Sequence, residues 1–454
     1  MVTICPVDGR KAPPVASKAT VPLRETRREF IGDVAKGITA LFGSSVVLSL
    51  FPESVYAEGP FGDINLNDEF EVVPVGKRQR PIIYLWLEGG ISHIDSSSPL
   101  PDAPREIKGP FNPIKTSVPG VILSETLPKT ASLMDKIILV RSLKHGEHNH
   151  GPATHLMFSG RSNVLGTSLQ NPSFAVKLGN HLSMTTPGYV TFNSNPGNPY
   201  LYPGIGEKES LHFKQQNLDS RLLEELNRGN TPYSPPVPKD FDSIRHRERN
   251  TLLNQLDRGF PNTPQSRRMD SLRERANSLV DGEIRETFDL SHVPDRLRDL
   301  YGKTSFGNAA LVATRLIRAG VPFVTICQNG WDQHSNLENE LKNKMPELDN
   351  IIYRLITDSG ALVIIGSEFG RSATMHDGGG TGRSHNAEGG FFAIGGNGIT
   401  GRVVGRLDNR GKIDGATLPG ELAMPTVAKM AGYEYRVKRA NIVTDNAIPT
   451  WDLG

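Results

Sequence analysis

Cysteine is almost missing from this chain. Of its 454 residues only Cys5 and Cys327 are cysteines, and Cys5 lies in a segment read below as a removable leader. One thiol then remains, no internal disulfide can form, and the fold cannot depend on oxidation. An excess of charge of one sign is missing too. The chain has 51 Lys and Arg against 49 Asp and Glu; seven basic and five acidic residues precede Ala57, leaving 44 of each sign beyond it. A chain so balanced has no basic footprint for nucleic acid, and no nucleic-acid partner is expected. Nor is there an apolar run of membrane length at the amino end: the uncharged stretch 37–51 has fifteen residues, short of the roughly twenty that cross a bilayer. No transmembrane span is expected in the mature chain.

Glycine and proline, by contrast, are abundant, at 46 and 33 residues, which points to long loops and to chemistry carried on them. The amino terminus has the order of an export signal. Thr26-Arg27-Arg28-Glu29-Phe30-Ile31 precedes the uncharged stretch, and Val55-Tyr56-Ala57 follows it as a small-residue cleavage pattern. Paired arginines before a modest apolar region fit the twin-arginine route better than the general secretory one. Residues 1–57 are therefore expected to engage the twin-arginine export machinery and deliver 58–454 to the periplasm or beyond. An uncleaved anchor, or an amphipathic helix of the folded domain, is the alternative. Export after folding suits a protein that acquires a cofactor in the cytoplasm.

Short continuous apolar runs recur as PIIYLWL at 81–87, KIILV at 136–140, VPFVTI at 321–326, ALVIIG at 361–366 and GFFAI at 390–394. Each reads as a buried strand opening onto a loop, and helical spacing at 308–319 precedes the third. Strands alternating with helices predict an α/β fold with a doubly wound, mostly parallel sheet. Residues 206–300 differ: rich in Arg, Glu, Asn and Pro, with helical spacing near 222–226, 252–256 and 272–280, they predict a helical insertion or cap. GNGITG at 396–401 has dinucleotide-binding spacing, but the RVVG that follows looks like a strand, so a glycine-rich hairpin is expected instead.

Eight of the twelve histidines fall in four short segments that begin at or soon after the end of an apolar run. Ligands of a doubly wound sheet collect beyond the carboxyl ends of its strands, so these residues can converge. The first segment offers Glu88, His93 and Asp95 as oxygen and nitrogen ligands; Asp95 alone reads equally as a turn or cap residue. In the second, His145, His148, His150 and His155 are four histidines in eleven residues, too many for packing alone, so a metal or acid–base role is expected for at least one of them. His155, one turn into a helix starting near Gly151, suits a buried, satisfied histidine as well as a ligand. The third places Asp332 and His334 after a strand. The fourth runs from Glu368 and Arg371 through His376 and Asp377 to Arg383 and His385. Carboxylates with imidazoles suit a divalent ion such as zinc, manganese or calcium, and the lack of thiols argues against a structural zinc knuckle. Such an ion lowers the pKa of water or polarises an ester oxygen. Arg371 or Arg383 can hold an anion, either being equally a solvated loop charge.

Taken in order, WLEGGISHIDSSSP, RSLKHGEHNHGPATHLMFSGR, NGWDQHSN, SEFGRSATMHDGGGTGRSHN and GGNGITGRVVG, after the twin-arginine leader, resemble the DUF1501 family of exported bacterial proteins. That family is grouped with the alkaline phosphatase and sulfatase superfamily. The resemblance covers nearly all of the chain after the leader, least distinctively at 206–300. It implies a sheet of that type, one or two metal ions, and hydrolysis of phosphate or sulfate esters. By this resemblance Glu88 stands where a metal-binding aspartate follows the first strand, and Asp332 with His334 matches an aspartate–histidine metal pair. Glu368 replaces the aspartate of a later pair, and His385 matches the last metal histidine. Setting GPATHLMFSGR against the sulfatase-like Cys/Ser-x-Pro-x-Arg pattern puts His150 at the nucleophile position, where no alkoxide can form. His150 is then a metal ligand or a covalent nucleophile, or water attacks directly, or the chemistry has been lost. Two readings follow. One is an exported hydrolase acting on a small anionic ester or a sulfated or phosphorylated glycan, with His150 at the reaction centre and His148, Arg371 and Arg383 donating to the anion or leaving group. The other is a non-catalytic binding or scaffold protein that retains the fold.

Overall fold

The apolar runs become the strands of one large sheet. In the computed structural model, which describes residues 69–76, 78–160, 173–175, 177–178, 188–192, 215–218, 243–257, 283–439, 442–447 and 449–453, these strands are β1 (Ile82–Leu87), β2 (Ile137–Val140), β3 (Tyr189–Phe192), β4 (Gln215–Leu218), β5 (Phe323–Gln328), β6 (Leu362–Gly366), β7 (Phe392–Gly395) and β8 (Arg402–Val404). Their order across the sheet is β8-β2-β7-β6-β1-β5-β3-β4. Every neighbouring pair is parallel except those of β7, which runs antiparallel to both β2 and β6. The sheet is thus mostly parallel, and the fold is α/β.

Burial on both faces explains why β1 is apolar throughout rather than alternating. Its side chains alternate across the sheet. Ile83, Leu85 and Leu87 belong to one core with helices Ser305–Arg318 and Leu337–Asp358, while Ile82, Tyr84 and Trp86 belong to another with His150–Ser159 and Ala423–Met430. In chain order these helices are α1 (His150–Ser159), α2 (Ser305–Arg318), α3 (Leu337–Asp358) and α4 (Ala423–Met430). Helix α2 starts where Thr304 accepts the Gly307 N–H at 2.9 Å, an N-cap, and its Ala309, Ala310 and Ala313 are fully buried in the first core. Helix α1 is seated on β1 by Phe158, whose ring lies 4.9 Å from Tyr84 and 4.8 Å from Trp86. That contact sets where the first residue of α1, His150, emerges.

Within 206–300, the described residues hold helices at Ser243–Asp257, Glu283–Phe288 and Asp295–Tyr301, but also β4, which extends the sheet at its edge. The expected leader, and the helical spacings near 222–226 and 272–280, lie outside the described residues. Residues 402–404 form a strand, not the helix a dinucleotide motif needs, but β8 pairs with β2 in parallel and not with β7, so the glycine-rich hairpin expected at 396–401 is not formed. A separate antiparallel sheet joins Glu69–Pro74, Tyr433–Arg439 and Ile442–Ala447. No helix among the described residues is long and apolar enough to cross a membrane.

Because β6, β1 and β5 are adjacent and parallel, their carboxyl ends finish side by side, and the residues that follow them meet. Ile364, central in β6 and fully buried, tests how much this platform depends on close packing. Ile364→Ala is expected to lower unfolding free energy by about 2–5 kcal/mol, as for other large-to-small core changes, measured by urea denaturation. A loss below about 0.5 kcal/mol, typical of surface sites, would contradict the packing described.

Candidate metal centre

Three strand ends supply the floor. After β1 the chain turns through Gly89, whose φ of +117° and absence of a side chain are both needed, since a Cβ there would sit 2.5 Å from the Asp332 nitrogen. The Glu88 N–H donates to the Gln328 carbonyl at 3.0 Å and the Trp331 N–H to the Glu88 carbonyl at 3.1 Å, so the turns after β1 and β5 are stitched together. After β6, Glu368 is fully buried. Its Oε1 accepts the Gly89 N–H at 2.7 Å, its Oε2 the Ser367 hydroxyl at 3.0 Å, and its carbonyl the His145 Nε2–H at 2.7 Å. A carboxylate fixed from this many sides is a rigid acceptor, and His150 Nδ1 lies 2.7 Å from its Oε1.

Asp332 stands in the middle. His150 Nε2 is 3.3 Å from its Oδ2; His334 Nε2 and His385 Nε2 are 3.0 and 3.2 Å from its Oδ1. The two imidazoles on Oδ1 also face one another, Nε2 to Nε2, at 3.1 Å. His385 arrives there through a short antiparallel pairing of Gly370–Arg371 with His385–Asn386. The far nitrogen of each ring has its own partner: His150 on Glu368, His334 on Asp377 Oδ2 at 2.6 Å, and His385 on the His148 carbonyl at 2.9 Å.

These partners decide the tautomers. A carboxylate or a carbonyl only accepts, and Asp332 on the Nε2 side only accepts as well. Each ring's Nδ1 contact, at 2.7, 2.6 and 2.9 Å, is however shorter than its Nε2 contact, at 3.3, 3.0 and 3.2 Å, so in the neutral rings the hydrogen is assigned to Nδ1 and Nε2 presents a lone pair. Three lone pairs then converge on a carboxylate that is itself acceptor-only. Among these contacts Arg371 is the one donor, to Asp332 and, at 3.4 Å, to His334 Nε2, which is too little to neutralise the crowding. A cation satisfies all the acceptors at once. His150, Asp332 and His385 each offer a ligand atom, all within 4.8 Å of one another; His334 Nε2 is not one of that group but lies beside two of its members, Asp332 and His385. Nitrogen and oxygen donors of this kind suit zinc or manganese. Side-chain exposures of 39% for His150, 43% for Asp332 and 43% for His334 leave the cluster open to solvent, as reactive sites require and closed structural ones do not.

Electrostatics agree with ligation. Burial pushes the Asp332 carboxyl up, but its hydrogen bond to Arg371 and the charge of Arg371 work against this and hold it at about 2. Burial, aided by the Arg371 and His150 charges, lowers His385 and keeps it neutral at neutral pH. The hydrogen bond to Glu368 raises His150 in spite of its burial, making its ring more basic, as a carboxylate behind a ligand histidine does. The His334 N–H holds the Asp377 carboxyl below its usual range.

The remaining sequence-predicted residues lie around this cluster in different roles. Arg371 is fully buried and donates to the carbonyls of Gly90 (2.7 Å), Arg383 (3.1 Å), Trp331 (3.3 Å) and Gly89 as well as to Asp332; it faces the protein, not solvent. Arg383, also fully buried, grips Asp95 at 2.7 and 3.1 Å and donates to the carbonyls of Ile107, Ser372 and Ala373. Asp95 in turn accepts the Ser92 hydroxyl at 2.5 Å. The structure brings these two to each other rather than to Asp332. His93 is buried beside the Arg371 backbone N–H, 3.5 Å from its Nδ1. Glu88 is half-buried at the end of β1, and the exposed His148 contributes its carbonyl. Two participants carried no assigned role in the sequence reading: His145, which braces Glu368, and Asp377, which braces His334. Both stand within the histidine-bearing segments, and that proximity was the available signal.

Burial holds His93 at about 3, with the Arg383 and Arg141 charges assisting, and holds His145 at about 4. Both are neutral in the fold, whereas an unfolded chain protonates histidine near pH ~6.5. Their stabilisation is therefore complete above that pH and is lost as pH falls through it toward the folded values. Urea midpoints are expected to drop between about pH 7 and about pH 4, and His145→Gln, which retains a donor for the Glu368 carbonyl, to lessen the drop. An unchanged pH slope in that variant would contradict the assignment.

A search of curated proteins finds no match. Similar solved structures include a protein in the alkaline phosphatase superfamily from Vibrio parahaemolyticus, at 11% identity over 80% of this chain and 69% of that one, TM-score 0.37. They also include the C-terminal periplasmic domain of EptC from Escherichia coli in complex with zinc, at 10% identity over 81% and 86%, TM-score 0.36, and a phosphonate monoester hydrolase from Silicibacter pomeroyi, at 13% identity over 80% and 75%, TM-score 0.34. The family described as "Protein of unknown function (DUF1501)" matches residues 79–419. Since that match spans most of the chain and every residue gathered around Asp332, the protein belongs to the DUF1501 family.

Proposed function

We propose that this protein is an exported, metal-dependent hydrolase of phosphate or sulfate esters, with a divalent ion held by Asp332, His150, His334 and His385. The observation that supports this most directly is the set of imidazole lone pairs aimed at one acceptor-only carboxylate. Zinc or manganese matches the donors better than calcium, which prefers an all-oxygen shell. When bound, such an ion supplies Lewis acidity toward an ester oxygen and lowers the pKa of water to about 7. The choice of phosphate or sulfate esters, small or on a glycan, rests on the family resemblance.

The chain's own residues define the rest. His150 commits Nδ1 to Glu368 and turns Nε2 to Asp332, so it acts as a ligand and leaves the attack on the ester to water. Arg371 holds Asp332 ionised and in place. His148, exposed and contributing its carbonyl to His385, is the side chain we assign to meet a leaving group. The second reading, a binding protein without turnover, is favoured by the imidazole at the position where the resemblance calls for a hydroxyl or thiol.

Elemental analysis of untagged exported protein separates the two. About one equivalent of zinc or manganese, as a single four-ligand site holds, is expected in the wild type and none in a His150/His334/His385 triple alanine variant. Turnover of 4-nitrophenyl sulfate or phosphate by the wild type alone then supports the hydrolase; metal without turnover on a panel of such esters supports the binding protein, and a metal-free wild type removes the centre. Export by the twin-arginine route carries its own test: Arg27→Lys with Arg28→Lys is expected to leave the precursor in the cytoplasm, and undiminished export would contradict that route.

A further inference from the structure

We propose that Asp377 is a positioning residue, which draws the proton of His334 to Nδ1, away from Asp332, and so keeps the His334 Nε2 lone pair turned toward the metal centre. The inference deepens the metal reading and rests on it for its purpose, though not for its test.

His334 stands between two carboxylates. Asp377 Oδ2 is 2.6 Å from Nδ1, and Asp332 Oδ1 is 3.0 Å from Nε2. A neutral imidazole has one N–H to give. If Nε2 carried it, His334 would donate to Asp332, the pair would be satisfied without any cation, and the face shared with His385 would be closed to a metal. The shorter contact decides for Asp377. Asp332 Oδ1 is also the weaker competitor because an Arg371 N–H already occupies it.

The loop that carries Asp377 is built against His334. The Asp377 carbonyl accepts the N–H groups of Gly380, Thr381 and Gly382 at 3.1, 3.1 and 3.0 Å, turning the chain back on itself. The returning chain then lies along 333–337: Arg383 N–H donates to the Gln333 carbonyl at 3.1 Å, and Leu337 N–H to the Thr381 carbonyl at 2.9 Å. Contact is so close that a Cβ at Gly382 would sit 2.1 Å from the His334 carbonyl carbon, and one at Gly378 2.6 Å from the His334 oxygen. The backbone of His334 is thus clamped by the loop, and its ring is set by the loop's one carboxylate. Carboxylates behind ligand histidines fix ring orientation in this way, and removing one weakens metal affinity by about 10–100-fold.

The turn is made by the Asp377 main chain, so Asp377→Ala removes the carboxylate and leaves the loop's hydrogen bonds; Asp377→Asn keeps the shape and removes the charge. The direct test is two-bond 1H–15N NMR of histidine-labelled protein stripped of metal, with His334 assigned by its absence in His334→Gln. Wild type is expected to show His334 as the Nδ1–H tautomer and Asp377→Ala to show Nε2–H. Zinc affinity, by competition with a chelator, is expected to fall about 10–100-fold in Asp377→Ala. His334 remaining Nδ1–H in both variants, or zinc affinity equal to wild type in both, overturns the proposal. A wild type that binds no zinc would instead sink the metal reading, while the tautomers would still decide what Asp377 does.

Discussion

The Arg371 guanidinium is the interaction on which the site depends. Fully buried, it has no water to receive its N–H groups, and a buried charge is tolerated only when its donors are met. Meeting them requires the carbonyls of Gly89 and Gly90 after β1, those of Trp331 and Arg383, and the carboxylate of Asp332 to arrive together. Three otherwise independent turns are thereby fixed to one another. The glycines follow from this, because a side chain at Gly89 would push the turn after β5 away, and one at Gly90 would meet the Phe369 ring at 2.7 Å.

The charge of Arg371 has a second consequence. Placed against Asp332, it keeps that carboxylate ionised; placed near His385, it opposes protonation of the ring. At Asp332 and His385 the arrangement therefore resists the cheapest way of relieving crowded acceptors, which is to take up protons, while His150, raised by its bond to Glu368, is the ring that accepts one more readily. Converging lone pairs maintained against protonation are a poor choice for stability alone and a good one for holding a cation. Asp95 and Arg383 show the contrast nearby: a bidentate pair, both members buried and each satisfied by the other and by carbonyls or a hydroxyl, which leaves nothing directed outward.

How much of this was legible in the sequence varied with the kind of information involved. Runs such as PIIYLWL and ALVIIG are apolar because both faces of their strands are covered, so their positions could be read directly. Direction could not: GFFAI is as apolar as the others, yet β7 runs antiparallel, since a buried strand's composition is indifferent to which way it points. The edge strand Gln215–Leu218, with sequence QQNL, has no apolar pattern and was hidden within a stretch that otherwise reads as helical. For the site, carboxylates and histidines after strand ends were readable because the topology forces them to one edge. The roles of Arg371, Arg383 and Asp95 were not, because an arginine in a glycine-rich loop reads as solvated until the loop is known to fold inward. Asp377 was concealed for a similar reason, its partner His334 being 43 positions away.

A gradient of burial runs through the centre, and it bears on where reaction can occur. Glu368, which orients His150, and Arg371, which orients Asp332, are both fully buried, whereas His150, His334 and Asp332 are each about two-fifths exposed. Groups that must not move are placed where packing holds them, and groups that must meet solvent are placed one bond network outward. His150 occupies the first position of α1, and its ring is held from beneath by the fully buried Glu368 carboxylate. An imidazole fixed in this way is placed to hold a ligand rather than to attack one. If the centre is hydrolytic, attack must then come from the solvent side, in a single displacement by water, and the open face of Asp332 is the side from which water has access.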